Sequence, residues 1–283
     1  METEYSTEYF RSRLMGQALQ APFDLRSPAL KAYRRAARML LVQPGMRILD
    51  AGCGLGTGAW LLAMLGAQVT GLDVSSAAIA WAQATYGGVA LRKGGSLHFA
   101  EMDLTTWPPH PAYDAIVVAD VIEHFPRPAG VALLRRLLAA LDIGEQPAAR
   151  GWVEGLFLHL PITANLIDWP LLVKNRLVLK RLRGHVIDHH GDPTHVVRYS
   201  VRDVPRLARE AGGQICGAEL RVYKPRLRWL EPLLLAGAST ARLRLGSAVV
   251  TDCDAIVLPE LVAALRMAAA TPAEGLPDLE PGG

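Results

Sequence analysis

The stretch "ILDAGCGLGTG", residues 48–58, ends a short apolar run in a carboxylate, Asp50, and follows it with four glycines in seven residues. Glycines between a strand and a helix let the backbone approach a ligand closely, and the first turn of the helix offers unpaired N–H groups there. Gly54, Gly56 and Ala59 also satisfy the G-x-G-x-x-A dinucleotide fingerprint, with Asp73 about 20 residues beyond the turn as a ribose partner, so an NAD-dependent oxidoreductase stays open on this stretch alone. Asp50 weighs against it. A carboxylate a few ångströms from the helix N-terminus repels a pyrophosphate and attracts a cation. S-adenosylmethionine, which carries an ammonium and a sulfonium and no phosphate, suits such a turn better than NAD.

Outward from this turn, residues 47 to 118 alternate short β-rich apolar runs with longer helical segments, the pattern of parallel βαβ units. Strands are expected at 47–50, 68–73, 97–101 and 113–118. Helices are expected over 57–65 and from Ser75, whose hydroxyl can cap the first turn. A helix over 128–141 and a strand over 152–160 follow. In "YSVRDVPRLAREAGG", Ser200 and Asp203 form a variant capping box and Gly212 with Gly213 supplies a left-handed stop. Two more strands, at 214–220 and 248–258, bring the total to seven. The fold class is therefore α/β, a Rossmann-like doubly wound, seven-stranded, mostly parallel sheet with helices on both faces and an inserted lid. The division is an N-terminal helical cap over 1–40, a cofactor-binding core over 41–160, a lid and acceptor insertion over 161–197, the C-terminal part of the sheet domain over 198–270 and a Pro/Gly-rich disordered tail over 271–283.

The chain of 283 residues is 51% hydrophobic, enough for a full core. Its polar, acidic start lacks the form of a secretory signal, and no apolar run is long enough to span a bilayer. Cys53, Cys216 and Cys253 are odd in number and widely spaced, which favours free thiols in a reducing cytoplasm. A net charge of +3 does not argue for nucleic acid. The basic excess is concentrated in Lys174, Arg176, Lys180, Arg181 and Arg183, and again in Arg221, Lys224, Arg226, Arg228, Arg242 and Arg244. The segment "LLVKNRLVLKRLRG" (171–184) allows a peripheral membrane contact, although its charges fall in two groups rather than on one face. These basic stretches mildly favour an anionic or lipid-linked ligand.

In combination these motifs resemble the class I S-adenosylmethionine-dependent methyltransferases, with similarity to the small-molecule, quinone-biosynthesis type over roughly residues 40 to 220. The first motif of that family, acidic-x-G-x-G-x-G, is matched by Asp50, Gly52, Gly54 and Gly56, with Cys53 inside the same turn as a small packed residue. The resemblance implies that Asp73 in "VTGLDVS" holds the ribose hydroxyls and Val74 packs on the adenine. It implies that Asp103 in "HFAEMDL", with the Leu104 backbone beside it, receives the adenine amino group. In "YDAIVVADVIEHF" it places Asp120 near the cofactor and Glu123 and His124 on the following loop.

Methyl transfer to a hydroxyl needs a base, and His124, His159 and His195, all expected beyond the C-terminal ends of strands or on the lid, are the candidates, with His124 and His195 the first choice. His185, Asp188, His189, His190, Asp192 and His195 crowd one segment, but Gly191 and Pro193 interrupt any helix that would align them, so a wet loop over the acceptor is expected there and no metal. Oxygen of a metabolite or natural product is the first choice of acceptor atom, and carbon of a lipid or quinone an alternative. Nitrogen of a nucleic-acid base is disfavoured, because "ADVIEH" lacks the Asn/Asp-Pro-Pro-aromatic motif. A cyclisation or rearrangement without methyl transfer stays open.

Overall fold

The computed structural model describes residues 22–27, 30–110, 112–143, 153–162, 195–197, 199–222 and 250–260. The expected lid, apart from its two ends, and the C-terminal tail lie outside the described residues. So do both basic stretches, Arg221 having a described backbone only, and His185, Asp188, His189, His190 and Asp192. The elements are α1 (Lys31–Met39), β1 (Arg47–Ala51), α2 (Thr57–Met64), β2 (Gln68–Asp73), α3 (Ser76–Tyr86), β3 (Ser96–Glu101), β4 (Ala115–Ala119), α4 (Arg127–Leu138), β5 (Gly155–Pro161), α5 (Asp203–Glu210), β6 (Gly213–Val222) and β7 (Val250–Pro259). The seven strands form one sheet in the order β3-β2-β1-β4-β5-β7-β6. Strands β1 to β5 pair in parallel, while β7 runs antiparallel between β5 and β6. The chain reverses its direction of winding at β1, which leaves a crevice at the carboxyl ends of β1 and β4.

Strand alternation decides which helix covers which face. Ile48, Val69, Ala115, Val117 and Phe157 point to the side of α1, α2 and α3, where Ala36, Leu62, Ile79 and Tyr86 join them in one core. Leu49, Leu72, Ile116, Val118, Leu156 and Leu158 point the other way, against Leu133 and Leu137 of α4 and Val204 and Leu207 of α5. Both faces of the central strands are thus buried, which is why these strands are nearly uniform apolar runs rather than alternating ones.

Local chemistry sets the boundaries. The Ser75 hydroxyl accepts from the Ala78 amide at 3.2 Å and starts α3. Asp203 Oδ2 accepts from both the amide and the hydroxyl of Ser200, at 2.9 and 2.6 Å, and Gly212, at φ +82°, ends the turn after α5. Strand β4 begins at Ala115 rather than at 113. Tyr113 instead makes an isolated bridge to Leu141, and the Asp114 carboxylate is drawn aside to the Arg47 guanidinium and amide. Helix α4 correspondingly stops at Leu138, because Ala139 to Leu141 turn to form that bridge. Among the described residues no helix is long and apolar enough to cross a membrane.

Candidate active site

The glycine turn is shaped by contacts on every side. Gly52, Gly54 and Gly56 all adopt positive φ, +80°, +52° and +74°, which L side chains rarely tolerate. A Cβ on Gly52 would stand 2.5 Å from Val121 Cγ2, and one on Gly56 would stand 2.6 Å from the Phe99 ring. Side chains are thus excluded from the turn both by conformation and by space. Gly52 and Gly54 keep part of their surface at the crevice, whereas Cys53, Leu55 and Gly56 are buried. Cys53 packs in the core below, where burial pushes its thiol up, and its amide donates to the Leu72 carbonyl at 3.0 Å. Its side chain therefore faces away from the crevice, and only its backbone belongs to the turn's surface.

Asp50 lies beneath the turn. It is wholly buried and accepts a hydrogen bond from the Tyr33 hydroxyl at 3.0 Å, while its Oδ2 has no partner among the described residues. Burial, with the Asp73 charge adding to it, lifts its pKa to about 7 despite the Tyr33 bond. Tyr33 reaches it because Gly58 is bare: a Cβ there would fall 2.1 Å from the Tyr33 ring. Asp50 thus presents no surface to the crevice, and whatever it contributes to a cationic ligand it contributes as a field through the turn.

Asp73 stands at the end of β2, half-buried, and ties the turn to that strand. Its Oδ2 accepts from the Gly54 amide at 2.8 Å and its Oδ1 from the Ser75 amide at 2.9 Å. Burial raises its pKa, and these backbone donors oppose the rise. Each oxygen keeps lone-pair capacity for a further donor. Val74 beside it is partly exposed. At the end of β3, Asp103 Oδ1 is held by the Thr105 amide and hydroxyl at 2.8 and 2.7 Å, with Leu104 buried next to it. Asp120 follows β4 at φ +55°, its side chain half exposed. Three carboxylates thus stand at or just beyond the carboxyl ends of β2, β3 and β4, the end of the sheet that carries the glycine turn, and Asp73 bonds to that turn directly. Carboxylates accept hydrogen bonds and carry negative charge, so a ligand offering a diol, an amine and a positive charge fits this acceptor set, and a pyrophosphate does not.

The single turn of 3₁₀ helix after β4 (Ile122–His124) brings the two predicted histidines together. The Glu123 carbonyl accepts from the Val196 and Val197 amides at 2.9 and 3.1 Å and so fastens residues 195–197 to this turn. The His124 and His195 rings meet edge to face with centroids 5.1 Å apart, and His195 Nε2 lies 3.9 Å from the buried Glu123 carboxylate. One donor atom from each of Glu123, His124 and His195 lies within 4.8 Å of the others, a spacing that could hold a cation.

His159 sits inside β5, buried, and not beyond the strand end. Its Nδ1 is 2.7 Å from Asp254 Oδ1 on β7, and its Nε2 is 3.4 Å from Asp120 Oδ1. Arg35 of α1 donates to both oxygens of Asp254, through Nε to Oδ2 and through a terminal nitrogen to Oδ1. Sequence reasoning did not find Tyr33, Arg35 or Asp254. Asp254 leaves one trace, an acidic residue at the centre of the apolar strand "TDCDAIVLP", and the two α1 residues leave none.

Residues 48–144 match a family model described as a methyltransferase domain. The chain is 35% identical over 185 residues, 64% of its length and 70% of the relative's, to a ubiquinone biosynthesis O-methyltransferase of Burkholderia pseudomallei. It is 33% identical over 99 residues, 35% of its length and 42% of the relative's, to a magnesium-protoporphyrin O-methyltransferase of Synechocystis. Its fold superposes with a TM-score of 0.56, at 19% identity, on the crystal structure of a magnesium protoporphyrin IX methyltransferase of Synechocystis with bound SAH, covering 88% of this chain and 96% of that one. With the strand order and the glycine turn already in place, these matches close the assignment: the chain belongs to the class I S-adenosylmethionine-dependent methyltransferases.

Proposed function

We propose that this methyltransferase acts on a hydroxyl oxygen of a small-molecule acceptor, a metabolite or natural product, in the cytoplasm. The observation that carries the reading is the Asp73 carboxylate bonded to the Gly54 amide of the glycine turn, with Asp103 and Asp120 at the same end of the sheet and the His124 and His195 rings together on the turn after β4. The ubiquinone-biosynthesis relative is named an O-methyltransferase, which supports oxygen over carbon.

In this reading S-adenosylmethionine supplies an electrophilic methyl group on a sulfonium. Asp73 receives the ribose hydroxyls on the lone pairs that Gly54 and Ser75 leave, with Val74 against the adenine. Asp103 and the Leu104 backbone receive the adenine amino group. Gly52 and Gly54 give the methionine end close backbone approach, Asp120 faces it, and Asp50 adds negative field from below. His124 and His195 line the acceptor side of the turn after β4. The protein's own contribution is chiefly positioning, which can supply most of such an acceleration when the reacting atoms are held in line. The basic residues of 174–183 and 221–244 favour an acceptor that is anionic or lipid-linked.

Calorimetry with S-adenosylmethionine, S-adenosylhomocysteine and NADH, followed by methyl-labelled turnover against hydroxylated acceptors, tests this. Binding of the adenosyl ligands and label in an ether product are expected. Tight NADH binding, or consumption of the acceptor with no label incorporated, would overturn the reading.

A further inference from the structure

Resting on the assignment of S-adenosylmethionine to the crevice and going beyond it, we propose that Asp50 is the residue that distinguishes this cofactor from its demethylated product, by giving up a proton when the sulfonium binds and recovering it once the methyl group has left. S-adenosylmethionine carries a carboxylate, an ammonium and a sulfonium. S-adenosylhomocysteine carries only the first two, so the pair differs by one unit of positive charge.

The geometry beneath the glycine turn makes Asp50 responsive to that unit. It has no exposed surface, its Oδ1 accepts from the Tyr33 hydroxyl at 3.0 Å, and its Oδ2 has no hydrogen-bond partner among the described residues. The amides of the turn are engaged elsewhere. Gly52 and Cys53 both donate to the Leu72 carbonyl, at 2.8 and 3.0 Å, Gly54 donates to Asp73 at 2.8 Å and Gly56 to the Cys53 carbonyl at 2.9 Å. The groups around Asp50 include no free cation. Tyr33 faces it from α1, the Cys53 thiol from the turn and Asp73 from the end of β2, and Asp120 after β4 is near enough to act on Tyr33. Helix α2, "TGAWLLAM", has no ionisable side chain, and its Ala59 amide favours the charged form of Asp50. Arg35 of α1 is engaged by Asp254, and Arg47 at the start of β1 by Asp114 and Asp142. A buried carboxyl with so few donors and no counter-charge keeps its proton far above the usual range, here to about pH 7.

A ligand in the crevice is close enough to change this. Gly52, two residues along the chain, is at most about 7.6 Å from Asp50 between Cα atoms, and it keeps part of its surface at the crevice. A unit positive charge within about 8 Å of a carboxylate favours the ionised form by roughly 30-fold at an effective dielectric of about 20. When the cofactor binds, the O–H bond of the Asp50 carboxyl breaks, its proton leaves to solvent, and carboxylate and sulfonium attract each other across the turn. Methyl transfer converts the sulfonium to a thioether. The carboxylate then lacks a counter-charge, recovers a proton from solvent, and the product is held by one attraction fewer. Because the ionised form is the one that favours the sulfonium, affinity for S-adenosylmethionine falls as pH drops through about 7.

Calorimetry of the full chain at about pH 6.5, in buffers of different ionisation enthalpy, counts these protons and needs no methyl acceptor. About three quarters of the Asp50 carboxyls hold a proton there, so about 0.6 proton should be released per S-adenosylmethionine bound, and less than about half as many per S-adenosylhomocysteine. From about pH 5.5 to about pH 7.5 the Kd for S-adenosylmethionine should fall roughly tenfold, and that for S-adenosylhomocysteine by less than about threefold. Asp50→Asn should abolish both the release and the pH dependence, while the titration of the ligand's own amine is unchanged. Tyr33→Phe, which takes a donor from the charged form, should move the dependence to higher pH. Difference infrared spectra of the wild type give a readout independent of any variant: the carbonyl stretch of a protonated carboxyl should vanish on adding S-adenosylmethionine and persist with S-adenosylhomocysteine. Equal proton release by the two ligands, or none by either, with both of them bound, would overturn the proposal and leave the cofactor assignment standing. A chain that binds neither ligand at any pH would overturn both.

Discussion

Replacing Asp50 by Asn should make the protein's stability less dependent on pH, and the size of the effect follows from the burial of this one carboxyl. Asp50 has no exposed surface and a single described side-chain donor, Tyr33, so its charged form is held at a cost and its pKa rises to about 7 in the folded state. The unfolded chain ionises it near the ordinary aspartate value, about 4. Between those values the folded state holds the proton that the unfolded state has lost, so the stability contributed by the neutral carboxyl is fully present below about pH 4 and is lost as pH rises through about 7. From about pH 5 to about pH 8 the wild type should therefore lose on the order of 3 kcal/mol through this group, two pH units at 1.36 kcal/mol each. In Asp50→Asn this component is missing. Urea unfolding of both proteins across that range, read as the change of their stability difference with pH, isolates the titration from any fixed cost of the amide. Other carboxyls cancel in the difference, apart from Asp73, whose charge couples to Asp50. A difference that stays constant within about 0.5 kcal/mol across the range would refute the burial argument.

Further expectations concern the same corner of the molecule. Asp73→Ala removes the acceptor for the Gly54 and Ser75 amides as well as the ribose partner, so calorimetry should show S-adenosylhomocysteine binding at least about 100-fold weaker, while unchanged affinity would refute the ribose assignment. Gly52→Ala combines a left-handed backbone with a Cβ 2.5 Å from Val121 Cγ2, and should cost about 2 kcal/mol or more in denaturant unfolding. Adding Val121→Ala should restore part of that loss, the contact and not the backbone strain. Tyr33→Phe removes the hydrogen bond to Asp50 and should cost about 2 kcal/mol above the Asp50 pKa, where the acceptor is charged, and less below it.

Most of the sheet was legible because its signals are local. Short apolar runs separated by helical segments and the Ser75 cap each lie within a few residues, and the elements formed there, while the Ser200–Asp203 pair sits just ahead of a helix that starts at Asp203. The errors fell at ends decided by distant partners. Residue 113 was expected to open β4, but the Arg47 guanidinium, 67 positions from Asp114, draws that carboxylate aside, and Tyr113 pairs with Leu141. The glycine turn was legible for the same local reason. Its carboxylate was expected on the ligand side but lies buried beneath the turn, because nothing near Asp50 in sequence announces that the Tyr33 hydroxyl comes from another helix to cover it.

Helix α1 shows why such partners escape a sequence reading and why they matter to the site. It centres on two small residues, Ala32 and Ala36, both buried, which let its backbone lie close to the sheet. At about 100° per residue, Tyr33 and Arg35 project to opposite sides of that alanine seam. Over a sheet ordered β1-β4-β5-β7, one side reaches β1 and the other β7. Tyr33 donates to Asp50 on β1, and Arg35 clamps Asp254 on β7. A single helix of nine residues thus partners two buried carboxylates three strands apart, one beneath the glycine turn and the other behind His159. Since an unpartnered buried carboxylate is costly to ionise, α1 favours the charged form of both, keeping Asp254 ionised beside Arg35 and opposing the rise that burial imposes on Asp50. The helix that looks like an N-terminal appendage to the cofactor-binding core is in this sense what allows the core to keep negative charge at its catalytic end.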